Sequence, residues 1–202
     1  MAVTLDDLRI VQFDPNIHDV SGFDSDDSDI NEFLQQEAWK YQADHISHTR
    51  LAYLDDRLVG YITLLTDCII LQTPEKKKVL KEARDQHQTV YTFPAIKIGR
   101  LGVQKGLQRS GVGTHLLRYT VGVVVRLNRE LNVGCRFITL DAYPKSVSFY
   151  ERKNFVFNKH YKSTRQKQKL FSRILDCLLR RAPKEEGNRS MRYDILKSPE
   201  IV

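Results

Sequence analysis

Apolar and polar positions follow two rhythms along this chain, and the switches between them mark out its elements. Alternation of period two reads as strands at Leu8–Phe13, Thr49–Leu54, Leu58–Thr66, Ala95–Val103, Phe137–Ala142, Phe155–Phe157 and Met191–Leu196. Asp14-Pro15-Asn16 closes the first run, and Asp55-Asp56-Arg57 joins the next two as a hairpin. Helical spacing takes over from Ile30 to about Ala43, where Ile30, Phe33, Leu34, Ala38 and Tyr41 share a face. It returns from Val112 onward, with Val112, Leu116, Leu117, Val124 and Leu127 on one side, and in Lys145–Lys153, where Pro144 suits the first helical position. Asp29 with Glu32 has the form of a capping box at the start of the first helix. Pro74–Gln88 is a charged helix, and Lys162–Ala182 is a basic amphipathic helix carrying Leu170, Phe171, Ile174, Leu175 and Leu178 at helical spacing. Strands interleaved with helices in this order predict a mixed α/β sheet in a single domain spanning residues 1–202.

Composition narrows the class without naming a function. The 202 residues are enough for one well-cored domain, and 41% hydrophobic content suits a globular chain. No apolar run approaches the ~20 residues that span a bilayer, and no secretory signal opens the sequence, so a cytoplasmic protein is expected. Cys68, Cys135 and Cys177 are odd in number and widely spaced, which favours packing roles over a disulfide framework or a zinc site. The formal net charge of +7 suits an acidic partner, either a nucleic acid or a phosphorylated cofactor. The lysine run of Pro74–Gln88 has two readings, a nucleic-acid contact or a solvated helix face, and the acidic cluster Ser25–Asp29 reads at its simplest as a helix start.

The stretch with chemical content is the turn between the Ala95–Val103 strand and the helix after it. It ends in Gln108-Arg109-Ser110-Gly111-Val112-Gly113, with Thr114 next. The first N–H groups of a helix have no partner within it, and the helix dipole adds positive character there. A glycine-bearing turn at that point is an anion site, most naturally for a pyrophosphate, with Arg109 adding charge at its rim. Neither a Walker A loop nor a Rossmann fingerprint is present.

The turn resembles the acetyl-coenzyme A signature of the GNAT N-acetyltransferases, Q/R-x-x-G-x-G/A, with Gln108, Gly111 and Gly113 at its fixed positions. Ser148-Phe149-Tyr150-Glu151-Arg152-Lys153-Asn154-Phe155 is similar to that family's F-Y-x-x-x-G-F helix, with Asn154 where Gly is usual. Asn is the next-best residue for a left-handed helix end. His18-Asp19-Val20-Ser21-Gly22-Phe23-Asp24, Gly99-Arg100-Leu101-Gly102-Val103, Leu140-Asp141-Ala142 and Met191-Arg192-Tyr193-Asp194-Ile195 resemble the toxin branch of the family, found in toxin–antitoxin operons. The likeness covers about Leu8 to Leu196 but does not explain the basic helix at 162–182.

That resemblance implies a GNAT fold with a mostly antiparallel sheet, acetyl-CoA as cosubstrate, and transfer of acetyl to the α-amino group of a charged tRNA. It also implies a ribbon-helix-helix antitoxin as partner, with a homodimer as a further expectation. Alternatives are a GNAT enzyme acting on a protein or small amine, and a binding module with a vestigial acyl-CoA site. On this reading Gln108, Arg109, Ser110, Gly111, Val112, Gly113 and Thr114 hold the pyrophosphate, while Leu101 and Val103 pair by main chain with the pantetheine arm. The N–H near Val103 is the natural oxyanion donor, and Tyr150 the general acid for the leaving thiolate. No residue stands out as a base. Phosphate contacts to tRNA are expected from Arg84, Arg100, Lys105, Arg109, Arg152, Lys153 and the basic helix, with internal pairing of Arg100 to Asp141 or a neighbour as the alternative.

Overall fold

A computed structural model describes residues 8–71, 73–82, 92–158 and 188–197. The predicted basic helix at 162–182, Arg84, Cys177 and the end of the predicted 74–88 helix lie outside the described residues.

Seven strands form one sheet in the order β1 (Arg9–Gln12), β2 (His48–Leu54), β3 (Arg57–Ile69), β4 (Phe93–Val103), β5 (Phe137–Ala142), β7 (Arg189–Asp194), β6 (Val156–Phe157). Every neighbouring pair is antiparallel except β4 with β5. The β2–β3 hairpin turns on Asp55 and Asp56 alone, both left-handed (φ 46° and 58°), the geometry that matches the twist of the flanking strands. Arg57 therefore belongs to β3, which runs on to Ile69 because its partner β4 extends back to Phe93.

One face of the sheet is covered by α4 (Val112–Arg129) and the short α5 (Val147–Glu151). There Val112, Leu116, Leu117, Val121 and Val124 meet Ile62, Ile96, Ile98, Ile138, Leu140 and Met191 in the main core. The other face is covered at one end by a helical segment, α1 (Ser28–Glu32), a π-helical turn (Phe33–Glu37) and α2 (Ala38–Ala43), which packs Ile30, Phe33, Leu34 and Ala38 on Leu51 and Tyr61. At its far end α3 (Thr73–Glu82) packs Val79 and Leu80 on Phe93, Ala95 and Phe137.

Of the boundaries that differ from the sequence reading, three follow where a hydrogen bond goes. The N-cap of α1 is Asp27, extended at φ −137°, with its carboxylate accepting from the Ile30 N–H at 3.4 Å; Asp29 lies inside the helix and is not the cap. Phe155 is not in a strand, because its N–H bonds the Tyr150 carbonyl at 3.1 Å. The last strand begins at Arg189 and ends at Asp194, where Lys197 N–H turns back to the Asp194 carbonyl. Pro144 opens a 3₁₀ turn (Pro144–Ser146) ahead of α5.

Candidate active site

The site begins where the two parallel strands part. β4 and β5 are paired from Ala95 with Phe137 to Ile98 with Leu140, and beyond that point they separate. Gly99 is the extra residue of a bulge, since Thr63 pairs with Arg100 and Leu64 with Ile98. Beyond it β4 stays on β3 only: Arg100, Leu101, Gly102 and Val103 oppose Thr63, Ile62, Tyr61 and Gly60. The Gln104 N–H bonds the Val59 carbonyl at 2.9 Å, so by antiparallel alternation the main-chain groups of Val103 and Leu101 face away from β3, into the split. These are the two residues expected to meet a pantetheine arm.

The turn after β4 is shaped by left-handed residues: Gly106 (φ 80°), Arg109 (φ 67°) and Gly111 (φ 101°). Left-handed backbone at Arg109 and Gly111, with Ser110 between them, is the kind of turn that can gather N–H groups into an anion-binding concavity. Gly111 is also the N-cap of α4 and places no side chain over the first N–H groups of that 18-residue helix, those of Val112, Gly113 and Thr114. Ser110 is turned inward: its N–H and hydroxyl both reach the Leu107 carbonyl, the hydroxyl at 2.6 Å. Gln108 likewise serves the turn, donating to the Ser25 carbonyl at 2.9 Å.

Those contacts show what the acidic cluster does beyond starting a helix. Lys105 N–H bonds the Asp24 carbonyl at 2.7 Å, its ammonium pairs with Asp26 at 2.5 Å, and Gln104 accepts from the Asp24 N–H at 3.2 Å. The cluster clasps the basic turn. Lys105 is raised in pKa chiefly by its hydrogen bond to Asp26. Arg109 and Arg152 remain exposed with no partner among the described residues.

Tyr150 is fixed from two sides. A Schellman end on α5 holds its carbonyl, with Phe155 N–H to Tyr150 O at 3.1 Å and Asn154 N–H to Glu151 O at 3.0 Å. Asn154 takes the left-handed position at φ 63°. The Tyr150 ring packs edge-on against Phe149 and Phe155, with centroids 5.0 and 5.5 Å away. Phe149 in turn reaches α4: a Cβ at Gly113 would lie 3.3 Å from Phe149 Cζ. Gly113 thus gives Phe149 room, without a positive φ of its own, and Phe149 lies between the turn and the Tyr150 ring. The Tyr150 ring is buried, its hydroxyl has no hydrogen-bond partner among the described residues, and burial pushes its pKa above the ordinary phenol value.

The opposite face of the split carries charge that the sequence reading did not assign. Arg100 does not pair with Asp141, because β4 has left β5 by that point; Asp141 takes Lys97 at 2.8 Å. Arg100 turns to the helical segment, its Nη2 at 3.4 Å from Asp29, and its guanidinium lies 5.1 Å over the Phe33 ring. Tyr143, the residue after β5, donates its hydroxyl to the same Asp29 carboxylate. Burial first, and that hydrogen bond second, push its pKa up to about 12. Gly102 makes this approach possible: a Cβ there would sit 2.7 Å from Tyr61 Cε1 and 2.8 Å from Ile30 Cγ2. The sequence offered Gly102 only as part of a resemblance and Asp29 only as a capping-box residue, with no local sign that Arg100 and Tyr143 would reach it.

The parting of the parallel pair and the left-handed helix start without a side-chain cap form the framework of the candidate site. The Acetyltransferase (GNAT) family profile matches residues 16–155, and the chain belongs to that family. Acetyl-CoA as acetyl donor follows from membership. No curated protein sequence matches the chain. Among solved structures it is similar to a tyrosine-to-phenylalanine variant of KacT, at 21% identity and TM-score 0.67 over 95% of this chain and 96% of that one. AtaT complexed with acetyl-methionyl-tRNAfMet gives 20% identity and TM-score 0.66 over the same shares of the two chains. A variant AtaT toxin bound to the C-terminus of the antitoxin AtaR and acetyl-CoA gives 18%, 0.63, 95% and 96%. Among the described residues no helix is long and apolar enough to cross a membrane.

Proposed function

We propose that this protein transfers acetyl from acetyl-CoA to the α-amino group of the amino acid on a charged tRNA, and so acts as a toxin-type inhibitor of translation. The observation that carries the transfer chemistry is the β4–β5 split, with the main-chain groups of Leu101 and Val103 turned into it and Gly113 lying between the Val103 side chain and Phe149, the ring neighbour of Tyr150. The tRNA acceptor is supported by the likeness over nearly the whole chain to AtaT in its acetyl-methionyl-tRNAfMet complex, and by the net charge of +7.

The residues present fit the cosubstrate. Val112, Gly113 and Thr114 N–H groups, with Gly111 left-handed before them, suit a pyrophosphate, and Arg109 stands exposed at the rim. Gln108 and Ser110 act one step back, holding the turn in shape. Leu101 and Val103 hold an extended arm as an added strand would be held. Bound there, acetyl-CoA supplies an activated thioester. The Val103 N–H faces the split and polarises the carbonyl, a contribution of ~2.7–4 kcal/mol for an oxyanion donor. Tyr150 keeps its proton at neutral pH and delivers it to the departing sulfur.

A ribbon-helix-helix antitoxin is the proposed regulator, since AtaT is seen with the antitoxin AtaR. The cytoplasm, where charged tRNA is found, is the proposed compartment, and a homodimer the proposed assembly. Purified protein with labelled acetyl-CoA and a mixed pool of aminoacylated tRNA tests the proposal, with deacylated tRNA as control. Label on the amino acid of the charged pool alone is the expected result. Acetyl-CoA binding with no transfer to any charged tRNA would overturn the acceptor and redirect the search to protein or small amines.

A further inference from the structure

We infer that Asp29 is the acceptor-positioning residue of this transferase, its carboxylate bridging the parted strands on the face opposite Tyr150 and taking the acceptor's amine at the mouth of the split. The inference rests on the acetyl-transfer reading above.

The two strands lose contact after Ile98 and Leu140, yet a residue from each is tied to one atom. Arg100, two residues further along β4, reaches Asp29 Oδ2 through Nη2 at 3.4 Å, and Tyr143, just past the end of β5, donates its hydroxyl to the same Oδ2. Asp29 Oδ1 has no hydrogen bond among the described residues, and the side chain is 55% exposed. A carboxylate has room for about four hydrogen bonds, whereas an ammonium has donors only. One oxygen anchored and one open is the arrangement that receives an amine.

Asp29 differs from the neighbouring carboxylates in being reached from both strands beyond the split. Asp27 uses both oxygens, one on Lys145 at 2.7 Å and one on the Ile30 N–H. Asp26 is engaged by Lys105, and Asp141 by Lys97. Arg100 is held hard in its place: Nη1 donates to the Gly99 carbonyl at 3.0 Å, its guanidinium stacks over Phe33, and its Nε–H is buried with no acceptor among the described residues. A fold tolerates an orphaned cationic donor where the position itself matters. Its position presents Asp29 at the split from the face opposite α4 and Tyr150. Donor and acceptor therefore meet from the two faces of one gap.

The test compares full-length wild type with Asp29→Asn, Asp29→Glu and Tyr143→Phe, using labelled acetyl-CoA and the charged-tRNA pool. Asp29→Asn is expected to raise the acceptor KM by about tenfold or more, the weight of one charge-assisted hydrogen bond. Its acetyl-CoA Kd and Tm should stay near wild type, and Asp29→Glu should recover part of the loss. Tyr143→Phe removes one anchor and should raise acceptor KM less. An unchanged acceptor KM in Asp29→Asn would overturn the inference while leaving the transferase reading intact, and so would an acetyl-CoA affinity falling in step with it. Wild type that binds acetyl-CoA but labels no charged tRNA would remove the acceptor reading, and this inference with it.

Discussion

Replacing Tyr150 by Phe deletes one oxygen and nothing else. The ring keeps its edge-on contacts with Phe149 and Phe155 at 5.0 and 5.5 Å, and the Schellman end that fixes the backbone uses the Tyr150 carbonyl, not the side chain. The hydroxyl makes no hydrogen bond among the described residues, so the fold loses no partner. Stability should then shift by no more than about 0.5 kcal/mol, which for a chain of this size is a Tm change of ~1–2 °C. Catalysis stands differently. A positioned general acid contributes ~10²–10⁴-fold, equal to ~2.7–5.4 kcal/mol at 1.36 kcal/mol per decade. Tyr150→Phe should therefore lose at least a hundredfold in single-turnover transfer from labelled acetyl-CoA, while calorimetric affinity for acetyl-CoA and Tm stay near wild type. Equal losses of turnover and affinity would refute the acid role and make Tyr150 a packing residue beside the pantetheine channel.

Other substitutions probe how the site is held. Gly102→Ala places a Cβ 2.7–2.8 Å from the Tyr61 ring and Ile30, both buried, and is expected to cost ~1–3 kcal/mol by denaturant unfolding. A wild-type midpoint would mean that the helical segment moves away freely. At Asn154, held at φ 63°, Ala should cost about 1 kcal/mol and lower activity by shifting Tyr150, whereas Gly should be neutral or mildly stabilising; thermal melts of the two variants decide it. Alkylation at pH 8 followed by peptide mass mapping should label exposed Cys68 and spare native Cys135. Burial pushes that thiol up to about 11, and its S–H reaches the Phe137 carbonyl at 3.6 Å. Rapid labelling of Cys135 would show that the end of the sheet opens.

Much of the site was legible because its parts are local. A period-two run, a glycine-bearing turn and a period-3.6 run lie consecutively in Ala95–Leu127, so strand, turn and helix followed from neighbours in sequence. The αL requirement at 154 follows from residue type and position alone. Gln108 and Ser110 show the limit of such reading: they hold the turn against Ser25 and Leu107, and residue type does not reveal which way a side chain or N–H points. The capping assignment failed for the same reason. Asp27 and Asp29 are equally good caps by chemistry, and the choice went to Asp27 because Arg100 and Tyr143 claim Asp29 from far along the chain.

Most elements, their order, the glycine-bearing turn before α4 and the Phe-Tyr helix could be read from the sequence, because hydrophobic period, glycine placement and helix-end chemistry act over a few residues. Only long-range pairing decides that β4 and β5 part after Ile98, that Leu101 and Val103 turn their main chain into the gap, and that Arg100 and Tyr143 both reach Asp29. Those outcomes depend on a bulge at Gly99, on which strand keeps its partner, and on contacts between residues more than forty positions apart. Pairing of that range is set by the packing of three separate cores against one sheet, and no local pattern encodes it.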